Sequence, residues 1–140
     1  MNTKKILLGT LLGGSGFFFL GWLLFGIVLA PLMQGNSNAS INRPMDQMLF
    51  GPLILSNLIW GLLLTLILIW RQSTGFASGL LTGALMGFLV SLATDLSFYS
   101  MTTFFSGPMG IALDVSGNTI LFSLVGALIS LLFKDKTERA

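Results

Sequence analysis

Residues 75–95 read GFASGLLTGALMGFLVSLATD, with a small residue at every fourth position, Gly75, Gly79, Gly83, Gly87 and Ser91, before a carboxylate at Asp95. Nearly everything between them is apolar. Positions four apart share one face of a helix, so this row forms a shallow groove along which a neighbouring membrane helix can approach backbone to backbone. At 1.5 Å per residue the stretch is about 30 Å long, enough to cross the hydrocarbon of a bilayer. It therefore predicts a spanning helix whose packing face leads up to an acid.

The rest of the chain repeats the pattern. Of 140 residues, 54% are hydrophobic and 9% charged, and the mean hydropathy is +0.89. A soluble domain would carry about 25% charged residues. The expected fold is an all-α membrane protein, one domain over 1–140, with a bundle of four transmembrane helices near 6–33, 49–70, 75–98 and 112–133. Outer loops then fall at 34–48 and 99–111, and a charged tail at 134–140. The uncharged run from Ile6 to Met33 exceeds the 7 to 15 apolar residues, roughly, of a signal-peptide core and reads as an uncleaved first helix. Pro31 is expected to end or kink it. The short turn Arg71 to Thr74 implies that helices two and three are antiparallel neighbours, with Ser73 or Thr74 capping the third.

Absences bound the chemistry. The chain has no Cys and no His, which removes Ser-His-Asp and Cys-His catalysis, imidazole-ligated haem and ordinary zinc sites. No enzyme activity, cofactor or metal is expected. The net charge is +2, with basic residues near the chain ends rather than interleaved with aromatics, so nucleic acid is not an expected partner. The expected surroundings are the lipid bilayer, with a second copy or another membrane protein as further partner. Lys4, Lys5, Arg71, Lys134, Lys136 and Arg139 fall on one side of a four-helix topology and only Arg43 on the other. That bias predicts both termini in the cytoplasm.

Of the five acids, Asp95 and Asp114 are informative. Asp95 lies about 30 Å above Gly75 along its helix and Asp114 about 28 Å above Phe133, so both reach a similar depth near the outer edge of the hydrocarbon. Ser91 and Asn118 are one turn deeper, and Asn57 lies in the outer part of helix two. These five define a candidate polar pocket with two carboxylates at its mouth. If the acids meet, mutual repulsion allows them to hold a proton and exchange it for a cation or a basic substrate. Plainer roles stand beside this one. Either acid can reach water or Arg43, Asp114 can cap helix four, and the two Asn side chains can make interhelical hydrogen bonds.

Gly21-Trp22-Leu23-Leu24-Phe25-Gly26, Gly83-Ala84-Leu85-Met86-Gly87 leading to Thr94-Asp95-Leu96, and Leu113-Asp114-Val115-Ser116-Gly117 together resemble the small four-helix bacterial membrane proteins grouped as domains of unknown function. The resemblance implies the fold and a location in the bacterial inner membrane, and no activity. Small multidrug transporters, of similar length, rely on a Glu in the first helix, whereas residues 6–33 contain no acid. The functional expectation is a small transporter or permeation component with an outward-facing polar pocket. The alternative is an assembly protein that docks on a partner through its glycine-lined face.

Overall fold

In the computed structural model, which describes residues 2–133, four helices are long and apolar enough to cross a membrane. They are α1 (Thr3–Leu23), α2 (Phe50–Trp70), α3 (Phe76–Met101) and α4 (Pro108–Leu131). The charged tail at 134–140 lies outside the described residues.

Local chemistry sets the boundaries, and three of them differ from expectation. Asn2 caps α1 by accepting from the backbone N–H groups of Lys4 and Lys5. At its other end α1 widens into a π-helical turn, Leu24–Val28, bends at Leu29 and continues as Ala30–Met33. Pro31 has no N–H to give to the preceding turn and its ring crowds that turn's carbonyls. The chain answers upstream, where Leu29 N–H reaches back to Leu24 O at 2.7 Å. α3 runs on to Met101 rather than ending near 98. Its hydroxyls at Ser97, Ser100 and Thr102 bond carbonyls three or four residues back, so a polar stretch continues the helix. Gly107-Pro108, expected as a loop turn, instead opens α4, because proline suits a first helical turn whose N–H groups are free anyway.

The helices associate as two antiparallel pairs. α3 packs closely on α4 and α1 on α2, and α1 also meets α4; α2 and α3, although consecutive, hardly touch. The expectation that a short turn makes them neighbours therefore fails. Their ends are tied instead by side chains from the turn. Arg71 Nη1 donates to Thr82 Oγ1 at 2.7 Å, and the buried Ser73 hydroxyl lies 3.1 Å from the same oxygen. Ser73 thus turns inward and does not cap α3, whose N-cap is Gly75 without a side-chain bond.

Close approach explains where the glycines fall. A Cβ at Gly79 would meet Ser130 Oγ and the Gly126 carbonyl, one at Gly83 the Phe122 carbonyl, and one at Gly87 the Asn118 carbonyl at 2.7 Å, all on α4. Between α1 and α2, a Cβ at Gly61 would lie 2.8 Å from Thr10 O and one at Gly13 2.9 Å from Gly61 Cα. Gly75 is different. It has open space around it and a φ of 81°, so it serves the turn and not the packing row. The buried core joins Phe17 of α1 and Leu64 and Leu68 of α2 to Leu121, Val125 and Ile129 of α4.

Candidate functional site

Lys4, Lys5 and Arg71 mark one end of the molecule, and the two longer loops mark the other. At the loop end Asn38 N–H donates to Phe104 O at 2.6 Å and Ser106 N–H to Asn36 O at 3.0 Å. The segments at 34–48 and 99–111, expected as two separate outer loops, are therefore pinned to each other. Phe105 is driven inward to pack with Ile111 and Val115 of α4, flanked by Met33 and Leu92. This small apolar cluster covers the loop end of the α3–α4 pair.

Below it stand the two acids, on facing helices, each about 9 Å inside its helix end at 1.5 Å per residue. Asp114 therefore cannot cap α4, whose N-cap is Gly107. The side chains of Asp95 and Asp114 neighbour each other across the α3–α4 interface. Asn118, one turn along α4, donates its Nδ2 to Asp114 Oδ2 at 2.7 Å and to Asp114 O at 3.1 Å. Asp95 is 8% exposed, and its Oδ2 is buried with no hydrogen-bond partner among the described residues. Arg43 does not reach that oxygen.

Two ionised carboxylates are acceptors only. Their contact is favourable when a proton or a cation lies between them, since like charges at this range repel. A larger metal site has no support: among the described residues no group of three or more acids, His or Cys comes together.

Beside this pair a cavity of about 830 Å³ runs between all four helices, a size suited to a small organic ligand. Asn57 of α2, Ser91 and Thr94 of α3 and Asn118 of α4 line it, as do Met45 and Met48 from the loop. The structure thus brings Asn57, Ser91 and Asn118 onto one cavity. Asp95 and Asp114 do not line it; Asp114 is one hydrogen bond from its wall, through Asn118. α2 and α3 make little contact, and the space between them toward the loop end is left unfilled.

Most of the wall was not singled out from sequence. It is aromatic, built from Phe17, Phe18, Trp22 and Phe25 of α1, Trp60 of α2 and Phe122 of α4. Phe122 holds the set together by meeting Phe17 edge-on with ring centres 4.6 Å apart and Trp60 at 5.5 Å. The π turn in α1 also matters here. Phe25 and Leu29 lie over Gly117, where a Cβ would come within 2.8 Å of Phe25 Cζ, and Gly117 adjoins Asn118. Widened turns of this kind recur at functional sites, and Pro31 was the one sequence signal for it.

Comparison with known protein families, with curated proteins and with solved structures finds no match.

Proposed function

We propose that the chain is a small carrier or permeation component of a cell membrane, the bacterial inner membrane, with four helices bundled, both termini cytoplasmic and its cavity facing outward. The observation that carries this reading is the ligand-sized cavity whose polar wall is hydrogen-bonded through Asn118 to the half-buried Asp114, beside the buried Asp95. Ionisable residues inside a membrane domain are costly and commonly mark a pathway. In this reading the pair gives up its bridging proton to water as a cation enters the cavity and takes one back from water as it leaves, and the Asn118–Asp114 hydrogen bond couples the wall to that change.

The assembly alternative is less well supported. The glycine row that would dock a partner is occupied by the chain's own α4, as Gly79, Gly83 and Gly87 approach its backbone or side chains at contact distance.

The test uses the purified full chain in liposomes under an imposed pH difference. Two amphipathic probes are offered, the cation ethidium and the anion 8-anilinonaphthalene-1-sulfonate. The reading expects at least one to cross faster than in protein-free liposomes, and the Asp95→Asn, Asp114→Asn double variant to lose the dependence on the pH difference. Equal rates with and without protein for both probes contradict it.

A further inference from the structure

The polar groups on the cavity wall have mostly spent their hydrogens within their own helices. Ser56 Oγ donates to Leu53 O at 2.9 Å, Ser91 Oγ to Gly87 O at 2.6 Å and Thr94 Oγ1 to Val90 O at 2.9 Å. Asn118 directs Nδ2 at both the backbone and side-chain oxygens of Asp114. Asn57 commits one of its two amide hydrogens to Leu53 O. A hydroxyl has one hydrogen and two lone pairs, and an amide oxygen accepts twice. What these side chains offer to an occupant is therefore acceptor oxygen. The remaining side-chain donors on the wall are the second Asn57 hydrogen and the indoles of Trp22 and Trp60.

Charge points the same way. No Lys or Arg lines the cavity; Asp114 is hydrogen-bonded to Asn118 on its wall with Asp95 beside it, and the exposed loop that supplies Met45 and Met48 carries Arg43 and Asp46, one charge of each sign. The aromatic wall supplies apolar area and, through the negative faces of its rings, attraction for a cation. An anion would face acceptors, ring faces and carboxylates together. A small hydrated cation would leave the aromatic wall unused.

We propose that the cavity binds an amphipathic organic cation, a ring-bearing hydrophobic body with a positively charged, N–H-donating head, the head lying at Ser91, Thr94 and Asn118 in front of the two acids. This assignment rests on the carrier reading and adds to it the class of ligand.

Binding to the purified full chain in zwitterionic-lipid nanodiscs tests it by the fluorescence anisotropy of two probes. Ethidium has a planar aromatic body, a fixed positive charge and amino donors; 8-anilinonaphthalene-1-sulfonate has a fused aromatic body and a negative charge. Ethidium is expected to bind saturably and at least about tenfold more tightly than the sulfonate. The Asp95→Asn, Asp114→Asn double variant is expected to weaken ethidium at least about tenfold. Should that variant not fold, Trp60→Leu and Thr94→Val, both on the wall, are each expected to weaken ethidium several-fold. Sulfonate binding as tight as ethidium, or ethidium binding indifferent to every folded variant, overturns the assignment. If the sulfonate alone binds and is carried, the ligand class falls and the carrier reading stands. If neither probe binds or crosses, both fall.

Discussion

Asp95 and Asp114 neighbour each other across the α3–α4 interface, and Asp95 Oδ2 is buried without a hydrogen-bond partner among the described residues. An unmade hydrogen bond at a buried polar group costs about 1–3 kcal/mol, and a bridging proton removes that cost. Asp95→Asn replaces the shared proton with fixed N–H donors aimed at Asp114. Its melting temperature should equal or exceed that of the wild type. Stripping the bridging proton from the wild type leaves two acceptors face to face, so wild-type stability should fall as pH rises. In Asp95→Asn this step should be absent, as thermal melts across a pH series would register. Parallel pH profiles for the two proteins contradict the shared proton.

The α3–α4 contact predicts a steep cost at Gly83. A Cβ there would strike the Phe122 carbonyl, which belongs to a helix backbone and cannot swing aside. Gly83→Leu should destabilise the protein by about 1–3 kcal/mol through overpacking. Gly35→Ala, at a position with open space, should change little. Thermal melts in detergent check both, and an unaltered midpoint for Gly83→Leu would count against backbone-to-backbone packing.

Thr82 is the tie between α2 and α3. Its single hydrogen goes to Ser78 O at 2.7 Å, so the Ser73 hydroxyl must donate to it, as Arg71 does. Thr82→Val keeps the shape but strands a buried Ser73 hydroxyl and one arm of Arg71, for a loss of about 1–3 kcal/mol. Ser73→Ala removes one donor and leaves no group unpaired, so it should cost less. The ranking of the two variants by melting temperature is the check.

Orientation can be read by labelling. The chain has no native Cys, and Ala39 and Thr74 are exposed at opposite ends of the molecule. With an impermeant thiol reagent on intact cells, Ala39→Cys should label and Thr74→Cys should not. The reverse pattern would put the cavity on the cytoplasmic side.

The four spans were legible because an apolar run of helical length has few other uses in a chain this poor in charge. The equal depth of Asp95 and Asp114 followed from rise per residue alone. Other features depended on information that hydropathy does not carry. Hydroxyls that satisfy themselves by bonding back along the helix, as at Ser97 and Thr102, look like loop residues in a sequence. The pairing of α1 with α2 and of α3 with α4, rather than α2 with α3, is decided by which glycines find a facing backbone. The aromatic wall stayed hidden because Phe17 or Trp60 contributes the same hydropathy whether it faces lipid, a neighbour or a cavity. Gly75 matched the packing row by spacing, yet its positive φ assigns it to the turn.

Infrared spectroscopy of the reconstituted protein reports whether the Asp95–Asp114 pair holds an exchangeable proton. A protonated carboxylic acid has a carbonyl stretch separate from the carboxylate and amide bands. Wild type should show this band, and ethidium binding should shift or remove it. The Asp95→Asn, Asp114→Asn double variant should lack it. A wild-type spectrum with no protonated-carboxyl band, or one whose band survives in the double variant, would contradict a shared proton on Asp95 and Asp114.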